Sequence, residues 1–363
     1  MNATDFIVFN KPDLGEEEIE AVSNVIRSGW IGTGKVASQF EEEFADFIGS
    51  GYAVAVGSCS VGLQLALKAS NIPRGFEVLT TPLTFAATLN AVLAVGLDVR
   101  FVDTTEQGNI SIQKLNHEID GLTRAVIPVH FSGLPCDLNR LKTNYLNKKI
   151  TVIEDCAHAF GSLLGNKGDF KVFSFYANKN ITSGEGGIVL CKDKKLADEV
   201  RVLSAQGLST GAWGRYSSGP IKRYSVEKIG LKGNMPDILA AIGLAQLRRW
   251  PEMRQKRAKV WRIYEKAFGS LGVGHSMHFY PLLVPHGRDF VREKLYKHGI
   301  GTGIHYKPLH LEPAYKFLGY TKGDFPNSEF WGENELSLPV SSTMGEEDAL
   351  RIVEIVAKEL KCN

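Results

Sequence analysis

The chain has 363 residues, of which 44% are hydrophobic, and its 42 basic and 40 acidic residues give a formal net charge of +2. This length and composition predict a folded globular protein with a large core, divided into two domains of roughly 100–200 residues each. The charges are spread along the chain, which excludes the concentrated basic field that binds nucleic acid. We therefore expect a small-molecule substrate. No stretch approaches the ~20 apolar residues of a membrane span, so we expect no membrane partner.

The N-terminal sequence, MNATDFIVFNKPDLGEEE, lacks a basic segment followed by an apolar run, so no secretory signal is predicted and we expect a cytoplasmic protein. The cysteines are odd in number and have no C-x-x-C spacing, which predicts neither a disulfide framework nor a zinc site. We therefore expect free thiols and no bound metal.

The first predicted element is a helix over EEEIEAVSNVIRSG, with glutamates in its first turn and Gly29 just past its end. Ile19, Val22 and Ile26 share one face of this helix, and we expect the helix to lie across the main domain. The next segment, GWIGTGK, matches most of a GxxxxGK nucleotide loop. Because Val36 replaces the required Ser or Thr, and a helix precedes the segment where a strand is needed, we reject that interpretation.

Short apolar runs alternate with amphipathic stretches from about residue 50 to 205. The runs are YAVAVGS, FEVLT, VRFVD, AVIPVH, ITVIED, KVFSF and GIVLC. This alternation predicts an α/β fold with a mainly parallel sheet and helices on both faces. Ligands of such sheets bind at the carboxyl ends of the strands.

Two features of this region are typical of cofactor binding. The first strand passes through a small-residue turn, Gly57 to Ser60, into a helix, whose free N-terminal amides form a phosphate cradle; an ordinary helix cap by Ser60 is the alternative. Phe85 starts the next helix after a strand end, where it either stacks on a flat cofactor ring or belongs to the core. The serines Ser58, Ser60 and Ser174 are candidate hydroxyl donors.

Asp155 lies at a strand end and Lys179 follows 24 residues later in a polar loop. A lysine amine forms a Schiff base with a cofactor aldehyde, and a carboxylate facing a pyridine nitrogen keeps that ring protonated. The pair is what a pyridoxal phosphate enzyme needs. Taken singly, the lysine is more typical of a solvated surface charge, and the aspartate of a turn or a helix cap.

After this region a glycine-containing connection leads to a helix, which Pro251 is predicted to interrupt before a second helix that ends at Phe268. We place the boundary near residue 248, with a large domain over 1–248 and a small domain over 249–363. The small domain has a predicted strand, HFYPLLV, a helix, RDFVREKLYKHG, and a closing amphipathic helix, which indicates an α+β unit.

Ordered segments along nearly the whole chain resemble the DegT/DnrJ/EryC1/StrS sugar aminotransferases. They are GWIGTGKVASQFEEEFADFIG, TTPLTFAAT, PVHFSGLPCDL, IEDCAHAFGS, FSFYANKNITSGEGG, AAIGLAQL, GIGTGIHYKPLH and ELSLPV. The resemblance implies a fold-type I, aspartate aminotransferase-like α/β fold, with a mainly parallel seven-stranded sheet and a smaller α+β C-terminal domain. Within the family, the chain is most similar to the UDP-4-keto-sugar C4 aminotransferases.

The resemblance implies catalytic and cofactor-binding roles for residues of this chain. Lys179 would form the covalent link to pyridoxal 5'-phosphate and then shuttle protons, Asp155 would pair with the pyridinium nitrogen, and His158 would lie near the ring hydroxyl. Phe85 would stack on the ring. The residues implied to hold the phosphate are Ser58, Cys59, Ser60 and Ser174, with Lys232 reaching it from the neighbouring subunit.

The resemblance also implies a reaction and partners. L-glutamate would donate its amino group to a keto carbon, C4, of a nucleotide-linked sugar, and the amino sugar would serve a surface polysaccharide or glycoconjugate. The enzyme would be a homodimer with shared active sites. The substrate-facing candidates are Trp30, Thr33, His305, Tyr306 and His310, although a histidine in a turn is more often structural.

The chain departs from the family where many members read GYNYRM. Here the segment reads GLKGNM, so that Lys232 stands at the usual asparagine and Asn234 at the usual arginine, which alters the expected cross-subunit contact. Two alternatives stay open: a cofactor-dependent sugar deoxygenase or dehydratase, for which related proteins replace the lysine with histidine, and a non-catalytic sensor with the same fold. Lys179 argues against the first, and the retained Lys179 and Asp155 argue against the second.

Overall fold

The computed structural model describes residues 6–209 and 223–361. The first part of the chain forms α1 (Glu16–Arg27), α2 (Lys35–Ile48), β1 (Tyr52–Val56), α3 (Cys59–Ala69), β2 (Glu77–Thr80), α4 (Ala86–Ala94), β3 (Asp98–Phe101), α5 (Ile112–Glu118), β4 (Thr123–Ile127), β5 (Asn144–Tyr145), β6 (Lys148–Lys149), β7 (Thr151–Asp155), β8 (Phe170–Ser174), β9 (Gly187–Cys191) and α6 (Lys194–Ser204). The second part forms α7 (Asp237–Phe268), β10 (Phe279–Leu283), α8 (Arg288–Lys297), α9 (Pro326–Asn334), β11 (Glu335–Pro339) and α10 (Glu346–Lys361).

Seven strands form one sheet in the order β1-β9-β8-β7-β4-β2-β3. The pairs from β8 through β3 are parallel, and β9 pairs antiparallel with both β1 and β8. The sheet is therefore mainly parallel, as predicted, and each of the predicted apolar runs contributes one strand. The carboxyl ends of β1, β7 and β8 meet at one edge of the sheet, which brings the turn after β1, Asp155 and Ser174 to the same side.

Helices cover both faces of the sheet. Alternation along β1 directs Val54 and Val56 to a core shared with α3 and α6, and Ala53 and Ala55 to a core shared with α2 and α7. Gly62 of α3 lies so close to the sheet that an added Cβ would be 2.7 Å from Val172 Cγ1. Because both faces are covered, every residue of β8 and β9 is buried, as is typical of central strands in doubly covered sheets.

Helix α1 is present as predicted and packs against α7, but its isoleucines are largely exposed. Ile19 and Ile26 are 59% and 56% exposed, whereas Glu18 and Val25 are buried. A polar network orients the helix, because Glu18 accepts hydrogen bonds from Gln246 and Arg249 of α7. The apolar stripe read from periodicity therefore faces away from the core of this chain.

The helix break predicted at Pro251 is wrong, because α7 continues through this residue. It runs for 32 residues, from Asp237 to Phe268, with Pro251 inside it. Trp250 and Met253, on either side of the proline, are buried against the sheet core, and Val260 and Tyr264 contribute to the core of the C-terminal part. Burial at both ends holds the helix together despite the amide that proline removes. Because α7 runs through residue 248 without a break, the helix does not mark the domain boundary there. That boundary stays a prediction.

The C-terminal part packs α7, α8 and α10 around an antiparallel pair, β10 and β11. The predicted inward face of the closing helix is confirmed by buried Ala349, Ile352 and Val356. β11 was not predicted as a strand from the residue pattern. Across the described residues, no helix is long and apolar enough to cross a membrane.

Candidate active site

Asp155 ends β7 with its side chain buried, at 4% exposure. Its Oδ2 accepts a hydrogen bond from Thr88 Oγ1 at 2.8 Å, and its Oδ1 accepts one from the backbone N–H of Ala157 at 3.1 Å. Burial raises the pKa of Asp155, against these two hydrogen bonds and the Lys179 charge, which favour the ionised form. The carboxylate is held rigidly at the carboxyl edge of the sheet, ready to face a cationic partner.

Lys179 lies in the loop between β8 and β9, a turn in which its backbone N–H donates to the carbonyl of Tyr176 at 2.9 Å. Burial lowers the pKa of Lys179 to about 8, although the Asp155 charge acts in the opposite direction. An amine with such a pKa is partly neutral near pH 7 and can act as a nucleophile or a base.

A cluster of rings lies close enough to Lys179 for its charge to act on three histidines of the cluster, His158, His278 and His305. His158 Nε2 and the Tyr306 hydroxyl are 2.9 Å apart, and the two rings are nearly parallel, with centroids 6.0 Å apart. The rings of His278 and His305 lie 4.8 and 5.7 Å from that of His158. Burial, followed by the Lys179 charge, lowers the pKa of His158 well below its usual value, and burial raises that of Tyr306 well above 10. These side chains are therefore neutral near pH 7.

The small-residue turn after β1 caps α3. Ser58, rather than Ser60, is the N-cap, since its hydroxyl accepts from the backbone N–H of Val61 at 3.2 Å. The N–H groups of Cys59 and Ser60 begin the helix, where no carbonyl four residues earlier is available to them within the helix. An anion placed before this turn would meet these amides and the positive end of the helix dipole.

Gly187 opens β9 beside the same turn and directly opposite Ser174, the last residue of β8. A Cβ on Gly187 would be 2.6 Å from the Phe173 carbonyl and 2.8 Å from the Cys59 amide nitrogen. Glycine is therefore required for β9 to approach the α3 N-terminus. Ser174 is buried, and its hydroxyl accepts from the Tyr176 N–H at 3.4 Å.

Phe85 is 62% exposed, which rules out the core alternative for this ring. Its centroid is 6.0 Å from that of Tyr306, and both residues line a cleft of about 500 Å³. An exposed aromatic ring that faces Tyr306 across this cleft is available for stacking on a flat ligand.

The chain matches one protein family across nearly its whole length. The profile of the DegT/DnrJ/EryC1/StrS aminotransferase family covers residues 12–357. The chain belongs to this family. Among curated relatives, the Bacillus subtilis spore coat polysaccharide biosynthesis protein SpsC is 39% identical over 379 residues, which span 98% of this chain and 97% of SpsC.

Solved structures agree with this assignment. Helicobacter pylori PseC, an aminotransferase involved in the biosynthesis of pseudoaminic acid, superposes with a TM-score of 0.89 at 27% identity, covering 99% of this chain and 100% of PseC. A Streptococcus pneumoniae protein assigned as a sugar aminotransferase superposes in its PLP form with a TM-score of 0.89 at 29% identity, covering 98% and 99% of the two chains. This DegT/DnrJ/EryC1/StrS family member is thus a fold-type I sugar aminotransferase that uses pyridoxal phosphate.

The residues at the sheet edge fit this cofactor. Asp155 offers a buried carboxylate for a pyridinium nitrogen, Lys179 an amine for an aldehyde, and the α3 N-terminus amides for a phosphate. His158 Nδ1 is buried and has no hydrogen-bond partner among the residues that the structure describes. A polar ligand group beside His158 would satisfy that nitrogen.

A second group of candidates lies beside the turn after β1. Gly57 N–H donates to the Gly233 carbonyl at 2.7 Å, which places the GLKGNM segment against the strand end. The Lys232 side chain is exposed, with its Nζ 2.6 Å from Asn234 Oδ1, and Asn234 donates to the Thr33 hydroxyl. Trp30 Nε1 donates to the Thr33 carbonyl at 3.2 Å. Trp30, Thr33, Lys232 and Asn234 therefore form one hydrogen-bonded cluster near the surface of the chain.

The same region shows why the GWIGTGK segment cannot act as a nucleotide loop. The first turn of α2, where a phosphate would sit, is occupied by the Asp237 carboxylate, which accepts from the backbone N–H groups of Gly34 and Ala37 at 2.7 and 3.0 Å. An internal carboxylate thus satisfies the amides that a nucleotide loop would offer to phosphate.

His310 lies in a different environment from the other histidine candidates. Its Nε2 is 3.0 Å from Glu329 Oε1, and its ring packs against Phe325 with centroids 4.8 Å apart. Glu329 also accepts from the Gly323 N–H. These contacts describe a buried structural pair, so the substrate role expected for His310 stays a prediction without a contact that supports it.

Three residues of the site have no local sequence signal and were not predicted. Thr88 holds Asp155, and Asn180 follows Lys179 directly. The Asn180 amide donates to the carbonyls of Phe160 and Ser276, both at 2.9 Å, so its oxygen must face His278 Nδ1 at 3.2 Å. His278 therefore carries its proton on Nδ1.

Behind Asp155, His130, Glu154 and Cys156 bring potential metal ligands within 4.8 Å of one another. The backbone N–H of Cys136 donates to His130 Nδ1 at 2.9 Å, and His130 Nε2 lies 2.9 Å from Glu154 Oε2. Both imidazole nitrogens are already used, so the arrangement is that of a buried hydrogen-bonded pair.

Proposed function

We propose that the enzyme transfers the amino group of L-glutamate to a keto carbon, C4, of a nucleotide-linked sugar. The observation that carries this proposal is the half-buried Lys179, whose pKa is lowered to about 8 and whose amine lies near both Asp155 and Cys59, the first residue of α3. SpsC, whose name places it in spore coat polysaccharide biosynthesis, and PseC support a product destined for a surface polysaccharide or glycoconjugate.

The roles of the residues follow from their environments. Bound pyridoxal phosphate supplies the electron sink that stabilises a carbanion beside the transferred nitrogen. Asp155 would keep the ring nitrogen of the cofactor protonated, Phe85 would stack on the ring, and His158 would lie near the ring hydroxyl. Lys179 Nζ would remove a proton from the amino donor and later return one to the sugar carbon, which its lowered pKa permits near neutral pH.

We further propose a homodimer with shared active sites. Ile19 and Ile26 form an exposed apolar stripe on α1, and Ile31 nearby in sequence is 55% exposed. Lys232 is exposed in the single chain, and the family resemblance implies that it reaches a phosphate in the neighbouring subunit. A second copy of the chain covers the isoleucines and receives Lys232.

Lys179 also separates this proposal from the sugar deoxygenase alternative, because the related deoxygenases carry histidine at that position. The sensor alternative is disfavoured because the amine, the carboxylate and the helix N-terminus remain assembled.

The test is the visible absorption spectrum of the protein before and after L-glutamate is added. We expect a yellow protein whose long-wavelength band disappears with glutamate alone and returns when a nucleotide-linked keto sugar is supplied. Lys179→Ala should keep the fold and lose the band of covalently bound cofactor. Lys171→Met, which replaces another buried lysine on β8, is the matched control and should stay yellow. A yellow Lys179→Ala protein with normal turnover would overturn the assignment.

A further inference from the structure

A chain of three polar groups, of which Glu335 and Ser337 are fully buried, ends at the half-buried His305. Glu335, the first residue of β11, and Ser337 on the same face of that strand are both fully buried. Glu335 Oε2 accepts from the backbone N–H of His305 at 2.7 Å. The Ser337 hydroxyl lies between Glu335 Oε1 and His305 Nδ1, 2.6 Å from the latter.

The His305 ring lies near Lys179, and its other nitrogen, Nε2, is not used by the relay. The His305 ring stacks on Phe279 at 4.3 Å and stands perpendicular to His158 at 5.7 Å, and the Lys179 charge acts on it. Nε2 has no hydrogen-bond partner within the described ranges. It is therefore available to a ligand in the Lys179 site.

A hydroxyl between two partners transmits the protonation state of one to the other. When Glu335 is ionised, Ser337 donates to Glu335 and accepts from His305 Nδ1–H, which leaves Nε2 as a hydrogen-bond acceptor. When Glu335 holds a proton on Oε1, that proton is donated to Ser337, Ser337 donates to His305 Nδ1, and the imidazole proton moves to Nε2. His305 is neutral in both states, since burial and the Lys179 charge lower its pKa to about 3.

We propose that Glu335 and Ser337 are positioning residues that fix the tautomer of His305, so that its Nε2–H donates a hydrogen bond to the keto oxygen of the sugar substrate. This inference rests on the proposed amino transfer to a keto sugar. A donor at that oxygen polarises the carbonyl toward attack by the amine that the cofactor carries.

The environment of Glu335 favours its protonated form near neutral pH. Burial raises the pKa of Glu335 to about 8, in spite of the hydrogen bonds from His305 N–H and Ser337 and the charge of Arg288. Arg288 directs its Nη1 to the Glu335 backbone carbonyl at 2.9 Å. The other ionisable groups that act on the relay are Lys179, His158, His278 and Tyr306. His158 and His278 have strongly lowered pKa values and Tyr306 a raised one, so they keep their charge state around pH 8. Lys179, with a pKa of about 8, titrates in this range in the wild type and in Glu335→Gln alike, so the comparison of the two isolates the effect of Glu335.

The protonation state of Glu335 sets the direction in which turnover changes with pH. Below pH 8 Glu335 is protonated and His305 donates through Nε2, whereas above pH 8 Glu335 ionises and Nε2 becomes an acceptor. We expect turnover of the wild-type enzyme to fall about tenfold per pH unit above 8 from this cause. In Glu335→Gln, the amide oxygen accepts from His305 N–H and the NH₂ donates to Ser337, which preserves the donor tautomer at every pH. This variant should stay active and lose the wild-type alkaline decline.

Ser337→Ala interrupts the chain and should lower kcat on the order of 10²-fold, the effect of losing one directed donor at a carbonyl oxygen. Ser132→Ala is the matched control, because Ser132 is also buried and bonds a buried histidine, His275, at 3.0 Å. It should share any loss of stability without the loss of kcat. Ser337→Thr retains the hydroxyl and should restore most of the activity.

The tautomer itself can be read without turnover, from ¹⁵N-histidine NMR of the cofactor-free protein, with the His305 signals identified by their absence in His305→Asn. We expect the proton on Nε2 at pH 7 and on Nδ1 above pH 9 in the wild type, and on Nε2 throughout in Glu335→Gln. A proton on Nδ1 at pH 7, or an inactive Glu335→Gln, would overturn the proposal. A wild-type enzyme that aminates no keto sugar would instead refute the proposed function, while the NMR result would still stand.

Discussion

At the scale of single residues, the surroundings of Lys179 set the pH at which it reacts. An exposed lysine has a pKa near 10.4, but burial lowers the pKa of Lys179 to about 8. The neutral amine, which is the nucleophile, therefore forms as the pH rises through 8. In cofactor-free protein, we expect the rate of covalent capture of pyridoxal phosphate to rise with pH and to level off above about 8.5.

The measurement is the growth of the visible band after pyridoxal phosphate is mixed with cofactor-free protein, from pH 6 to 10. A rate that keeps rising to pH 10, as for a surface lysine, would contradict this environment for Lys179. Free lysine treated in the same way supplies the reference curve.

Thr88 gives a second prediction at this scale. Its hydroxyl donates to Asp155 Oδ2 at 2.8 Å, and a hydrogen bond to a buried charged group contributes about 1.5–3 kcal/mol. In Thr88→Val the shape is kept but this bond is lost, so the pKa of Asp155 rises further and its pairing with a pyridinium weakens. We expect kcat/KM to fall by about tenfold or more, a factor that corresponds to 1.4 kcal/mol.

Thr80→Val is the matched control, since Thr80 is equally buried but donates to the Ile127 carbonyl within the sheet. Steady-state kinetics and thermal melts of both variants separate the two effects. If both variants lose stability alike and kcat/KM alike, Thr88 has no specific effect on Asp155.

At the scale of elements, α3 depends on one glycine. Replacing Gly62 with Ala should favour an isolated helix by about 1 kcal/mol. Here, however, the new Cβ would lie 2.7 Å from Val172 Cγ1 and 3.1 Å from Val189 Cγ2, and overpacking of this kind costs about 1–3 kcal/mol. The second effect is larger, so we expect Gly62→Ala to lower the free energy of unfolding.

Urea unfolding of Gly62→Ala, compared with Gln64→Ala on the same helix, measures the balance. Gln64 is only half-buried, so its replacement should have a small effect. An unchanged or raised stability of Gly62→Ala would show that α3 can move away from the sheet.

Much of the element inventory was predictable from the sequence because its signals are local. Short apolar runs predict the strands, and a glutamate-rich first turn predicts α1. The order of the strands and the antiparallel direction of β9 carry no local signal, because they depend on packing between distant segments. Pro251 misled the prediction for the same reason, since tertiary burial of Trp250 and Met253 outweighs a local break.

The residues of the candidate site also fall into those with a local sequence signal and those without one. Asp155 and Lys179 could be found because their residue types and strand context point to a known chemistry. Thr88, Asn180 and Glu335 could not, since each acts through a partner that is far away in sequence. His310 shares its short motif with His305, yet folding buries it against Glu329.

At the scale of the whole molecule, the exposed stripe on α1 predicts assembly. Ile19→Asp combined with Ile26→Asp should convert the proposed dimer to a monomer, because two charges would be buried against apolar surface. Light scattering after size exclusion measures this directly, and turnover should fall with the loss of the shared site. Val273→Asp, at a valine that is 93% exposed elsewhere, should leave the mass unchanged. A dimeric double variant would place the interface on another surface.

The position of Asn180 also has a mechanical consequence. Directly after Lys179, its side chain bonds Phe160 of the sheet domain and Ser276 and His278 of the C-terminal part. Rotation of the C-terminal part away from the sheet would stretch two of these bonds and pull on the peptide that follows the reactive amine.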